Sequence, residues 1–154
     1  MARKLIPISL FFLTVAALGV IFVHSENARA DSPAASQPQS TETKVIAYYF
    51  HVTVRCVTCR TIESYSREVV EQKFGADIAK GRLEYRLVNV QLPENRHFIK
   101  DYQLFTKSIV LVRFDKGRQA EHKVLNETWE LVGDKSAMQG YVERHVRDYL
   151  KRLS

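Results

Sequence analysis

Lys44-Val-Ile-Ala-Tyr-Tyr-Phe-His51 is apolar on both alternating sets of positions, the mark of a strand buried on two faces. After a short break, Cys59, Ile62, Ser66, Val69, Val70 and Phe74 recur at steps of three and four. They form one stripe of a helix, with Glu63, Arg67, Glu71 and Lys73 largely outside it. That helix ends either at Gly75 or, running on through Ile78, at Gly81. From Arg82 to Val90, Leu83, Tyr85 and Leu87 alternate with Glu84 and Arg86, so this strand has a wetter face and suits a sheet edge. Pro93 fits a first helical turn, with Glu94 near the positive end of the helix dipole. Phe98, Tyr102 and Phe105 are expected to face the core from this second helix. Ser108-Ile-Val-Leu-Val112 is again apolar on both faces. Asp115-Lys-Gly-Arg118 carries turn chemistry, and Gln119 to Val124 returns as a more polar strand, which makes a hairpin. A helical turn around Trp129 closes near Gly133. From Asp134, a suitable N-cap, Met138, Tyr141, Val142, His145, Val146, Tyr149, Leu150 and Leu153 stripe a final helix.

The order is β-α-β-α-β-β-α, an α/β chain. The first β-α-β unit gives two parallel strands with a right-handed crossover, and the hairpin completes a central mixed four-stranded sheet flanked by helices. The two doubly apolar strands belong in the middle and the two polar-faced ones at the edges.

Ahead of this domain the texture changes. Arg3 and Lys4 precede an apolar run from Leu5 to Val23, and Ala28-Arg29-Ala30 offers a small-x-small cleavage site. Residues 1–30 therefore read as a secretory signal peptide, with an uncleaved membrane anchor as the competing reading. Either one places the remainder on the non-cytoplasmic side of a bacterial inner membrane, periplasmic or extracytoplasmic, with membrane contact only through the N-terminal segment. Residues 31–43, rich in Ser, Ala, Pro, Gln and Thr, read as a flexible linker. Residues 44–154, about 110 in number, suffice for one domain with one hydrophobic core.

The formal charge of +6 falls to +4 when Arg3, Lys4, Arg29 and Glu26 leave with the first segment. The remaining cations are interspersed with acids, as in Arg67/Glu68 and Arg147/Asp148, which describes a solvated mixed-charge surface. No nucleic-acid-binding motif is present.

The chemistry concentrates in Arg55-Cys56-Val-Thr-Cys59-Arg60, which holds the chain's two cysteines at a strand-to-helix junction. Two thiols separated by two residues suit thiol–disulfide exchange. Cys56, at the start of the helix and with the positive charges of Arg55 and Arg60 nearby, is placed to be the attacking thiolate. Cys59, one turn on, is placed to resolve a mixed disulfide. The partner is then another redox protein or a protein thiol or disulfide. A structural disulfide is one alternative. A second is binding of Cu(I) or Zn(II), as a metal-binding or metallochaperone module, by Cys56, Cys59 and His51. Glu63 is a candidate proton relay to Cys59 or a plain surface carboxylate. Lys107 and Arg113 are candidates to hold an anion, or else solvated cations. His97 and His122 read as surface residues, His145 as core-flanking, and Tyr48, Tyr49 and Trp129 as core aromatics, with a substrate clamp as the alternative.

From Val45 to Leu153 the chain resembles the thioredoxin superfamily, whose sheet order also centres the first and third of these strands. More narrowly, Tyr48-Tyr-Phe-His51, Val54-Arg-Cys-Val-Thr-Cys-Arg60, Asp101-Tyr-Gln-Leu104, Lys107-Ser-Ile-Val-Leu-Val112 and Trp129-Glu-Leu-Val-Gly-Asp-Lys135 are similar to runs in small bacterial proteins labelled "nitrophenyl compound nitroreductase subunit, ArsF family". The chain has no flavin-binding signature, so the resemblance implies an electron-delivering or thiol-handling subunit and no bound cofactor. It differs from ordinary thioredoxins in three respects. Val57 and Thr58 stand between the cysteines in place of Gly-Pro, and Arg55 precedes them in place of Trp. Phe50 occupies the position of a buried acid. Ser108 occupies that of a cis-proline facing the dithiol, and its peptide bond is expected to be trans.

Overall fold

The computed structural model describes residues 42–153. The leader or anchor expected over residues 1–30, most of the linker (31–41) and Ser154 lie outside the described residues. Among the described residues no helix is long and apolar enough to cross a membrane.

Four strands and four α-helices follow in the expected order: β1 (Lys44–His51), α1 (Val57–Ala79), β2 (Leu83–Asn89), α2 (His97–Asp101), β3 (Ser108–Asp115), β4 (Arg118–Val124), α3 (Thr128–Leu131) and α4 (Lys135–Lys151). A single 3-10 turn, Pro93–Asn95, leads into α2. The sheet order is β2-β1-β3-β4, with β1 parallel to β2 and antiparallel to β3, and β3 antiparallel to β4. The fold is thioredoxin-like.

The alternation in β1 sorts its side chains onto two faces. Val45, Ala47 and Tyr49 join Ile109 and Leu111 of β3 under α1 and α4, against Ile62, Val69, Val70, Met138, Val142 and Val146. Ile46, Tyr48 and Phe50 join Val110 and Val112 on the opposite face, covered by Tyr102 and the half-buried Phe98 and Leu104. Helices on both faces explain why β1 and β3 need apolar side chains in both directions. Burying one such side chain contributes about 1.5–3 kcal/mol.

Three local devices set the element ends. The α1 helix runs past Gly75 to Ala79, with a break in its backbone at Phe74 (φ −126°, ψ 21°). It stops where Gly81 takes φ +70°, and the amides of Gly81 and Arg82 turn back onto the carbonyls of Ile78 and Asp77, each at 2.9 Å. The β3–β4 hairpin turns through Lys116 and Gly117, both at positive φ, the geometry of a two-residue type I′ turn. Glu42 and Thr43, at the end of the linker, bond to this hairpin: the Gly117 amide donates to the Glu42 carbonyl at 3.1 Å, and the Thr43 hydroxyl to Asp115 at 3.1 Å.

One expected core residue does not enter the core. Phe105 is 98% exposed. The α2 helix ends at Asp101, and Gln103 takes φ +50°, which reverses the chain. The Leu104 amide then bonds the Ile99 carbonyl at 2.9 Å, and Leu104 takes the inward place.

Candidate functional site

Cys56 caps the N-terminus of α1. Its extended backbone (φ −73°, ψ 166°) precedes the first helical residue, and its sulfur accepts the Cys59 amide at 3.1 Å. Sulfur thus does here what a Ser or Asp oxygen does in an ordinary cap. The two sulfurs form a disulfide with the Cα atoms 5.1 Å apart. The pair is asymmetric: Cys56 is exposed, whereas Cys59 is 0% exposed, on the face of α1 that meets the sheet. Val54 and Val57, on either side of Cys56, are each 83% exposed and give the accessible sulfur an apolar rim.

Beneath the pair, the buried Tyr49 hydroxyl donates to the Cys59 carbonyl at 2.6 Å, tying the first turn of α1 to the middle strand. Burial pushes this phenol up to about 12 from the ordinary 10.0; the nearby Glu63 carboxylate adds to the rise and Arg55 opposes it. The apolar pattern of β1 marks Tyr49 as a core aromatic and does not reveal this bond. Its only signal there was a polar tip on an inward-facing position of a strand ending five residues before the dithiol.

The electropositive setting expected of Arg55 is largely spent internally. Its guanidinium pairs with Glu63 and also reaches the His51 Nε2 at 2.8 Å. Since a guanidinium only donates, Nε2 carries the lone pair, and the His51 Nδ1–H points to the Val52 carbonyl at 3.2 Å. Glu63 takes a second partner, Arg67, at 2.9 Å. Its carboxylate is therefore held in an ion-paired cluster and not presented to Cys59 as a relay would require. His51 is buried against Arg55, the two sulfurs are bonded to each other, and no group of three His, Cys, Asp or Glu side chains suited to a metal occurs among the described residues.

Ser108 is buried, opens β3 opposite Phe50 of β1, and bonds its own loop through the Thr106 carbonyl at 3.0 Å. The bond before it is trans, since no described peptide bond is cis. The half-buried Trp129 holds the same loop by donating its indole N–H to the Lys107 carbonyl at 2.9 Å. Arg113 lies at the far end of β3, opposite Val45, and pairs with Glu121 at 2.6 Å, remote from the cysteines. His97 is exposed beside Asp101 at 2.8 Å, and His122 is exposed on β4. His145 is half-buried, and burial, followed by the charges of Lys123 and Arg144, holds its imidazole below the ordinary histidine range.

No family model matches the chain, and no curated protein does. Among the solved structures similar to it are three at low identity. Mitochondrial thioredoxin 3 from Saccharomyces cerevisiae, in oxidised form, matches over 70% of this chain and 81% of that one, at 12% identity and a TM-score of 0.42. Thioredoxin from Malassezia sympodialis gives the same coverages at 16% identity and 0.43. A malarial protein matches over 67% of this chain and 98% of its own, at 13% identity and 0.41.

Proposed function

We propose that this domain is a thiol–disulfide redox protein in which Cys56 is the attacking sulfur and Cys59 the resolving one. The observation that carries the reading is the asymmetry of the bonded pair: one sulfur is exposed at a helix N-cap and the other is sealed behind it. The first turn of a helix presents N–H groups with no intrahelical partner, which favour an anionic sulfur at Cys56. In the reduced protein the Cys56 thiolate attacks a disulfide R–S–S–R′, forming Cys56–S–S–R and releasing R′–S⁻. Cys59, after giving up its proton to solvent, attacks the Cys56 sulfur, releases R–S⁻ and closes the Cys56–Cys59 bond. The substrate gains two electrons and the protein loses two; the reverse sequence oxidises a dithiol.

The reduced protein is expected to reduce insulin or glutathione disulfides. Cys56→Ser abolishes this exchange, whereas Cys59→Ser accumulates a mixed disulfide on Cys56 that dithiothreitol releases. Unchanged exchange in both single variants overturns the assignment.

The narrower reading is an exported protein acting as an electron-transfer subunit of a reductase system, with another redox protein as partner. It is supported by the leader-like residues 1–30 and by the sequence runs shared with ArsF-family subunits. Fractionation of the full-length protein tests its location, and co-purification of a partner trapped by Cys59→Ser tests its role.

A further inference from the structure

A groove of about 620 Å³ runs along the outer face of α1, walled by Thr53 and Arg55 of the preceding loop and by Arg60, Ser64, Arg67 and Glu71 of the helix. It begins beside the dithiol. Arg55 directly precedes Cys56, and Arg60 lies one turn beyond it, with its amide donating to the Cys56 carbonyl at 3.1 Å. The charges along the groove are not used equally. Glu63 is shared between Arg55 and Arg67, so one of those two cations is left uncompensated. Arg60 is exposed and has no ion-pair partner among the described residues. Arg55, Arg60 and Arg67 together outnumber Glu63 by two charges, and the one of them without an ion pair, Arg60, is one turn from Cys56. Further along, Glu68 is neutralised by Lys135 at 2.8 Å, and Glu71 is exposed without a partner among the described residues, so the far end turns negative.

Resting on the thiol–disulfide reading above, the geometry points to a substrate class: disulfides that carry carboxylates close to the sulfur, selected by Arg60. The apolar rim of Val54 and Val57 admits any disulfide to the sulfur, while Arg60 is free to meet an anion because Glu63 occupies its neighbours. Arg60 acts on encounter and orientation of the substrate and takes no part in the bond exchange.

The test uses the reduced full-length protein and three small disulfides of like size: dithiodiglycolate (anionic), 2-hydroxyethyl disulfide (neutral) and cystamine (cationic). Rates are read as ratios to the neutral compound, so any change in the intrinsic reactivity of the thiol cancels. The expected order is anionic, neutral, cationic, and Arg60→Glu lowers the anionic-to-neutral ratio about tenfold, as reversal of one charge a helical turn from Cys56 implies. The ratio also falls as salt rises toward 0.5 M. Arg118→Glu makes the same change in net charge at the hairpin, near the opposite end of the strands from the Cys56 loop, and is expected to shift the ratio less than twofold. Peptide disulfides with Asp or Lys flanking the cysteine form a further arm. A preference for Asp assigns the carboxylates to a protein segment, and a preference confined to dithiodiglycolate assigns them to a small molecule. Equal ratios in the wild type, or an unchanged ratio in Arg60→Glu, overturn the inference while leaving the redox assignment standing. Failure of even the neutral disulfide to react removes both.

Discussion

Tyr49 shows how much a single polar atom can matter in an apolar strand. Its hydroxyl satisfies the Cys59 carbonyl from within the core, so Tyr49→Phe removes a buried bond while keeping the ring. The expected cost is about 1–2 kcal/mol in urea unfolding. The same phenol makes stability depend on alkali. Its folded value, raised to about 12, exceeds the ordinary 10.0 of the unfolded chain. The stabilisation is therefore complete below pH 10 and is lost as pH climbs from there toward 12. Tyr85 and Tyr102, also raised by burial, act in the same direction. Denaturant midpoints measured from pH 8 to 12 should fall above pH 10, and less steeply in Tyr49→Phe; a flat profile would contradict this account. The dithiol itself was readable from two cysteines and their spacing. The partners of Arg55 were not, because Glu63 lies eight residues away across a loop and a helix turn, and only the docking of α1 brings them together.

Element boundaries follow backbone chemistry that can be probed with one methyl group. At Gly81 an added Cβ meets no atom within 4 Å, yet φ is +70°, so Gly81→Ala should destabilise by about 1–2 kcal/mol through conformation alone. Gly140 sits inside α4 with equally open space and no positive φ, so Gly140→Ala should stabilise by about 0.5–1 kcal/mol. Opposite signs from identical substitutions, read in paired urea titrations, check the assignment. These two ends also mark where sequence reading works and where it stops. Gly81 was one of two stops considered for α1, and the structure selects it through the paired carbonyls of Asp77 and Ile78. The end of α2 was missed because Gln103, an unremarkable residue in the sequence, takes a left-handed backbone that turns Phe105 outward and Leu104 inward.

Taken together, the layers follow from two strands. Because β1 and β3 are apolar in both directions, they have to lie between helices, and the edge places fall to the strands with charged faces. That logic needs only local composition, which is why the architecture is legible in the sequence. The site draws on placements that no local run specifies: the His51 imidazole against Arg55, and the indole of Trp129 on the Lys107 carbonyl. The last of these makes the molecule self-reporting. Trp129 is the chain's one tryptophan, and its N–H holds the segment that enters β3 at Ser108, opposite the end of β1 from which the cysteine loop departs. Its fluorescence emission is a native optical gauge of that segment: reduction of the disulfide is expected to alter the emission intensity, with no label attached, and an unchanged intensity would show the segment indifferent to the redox state.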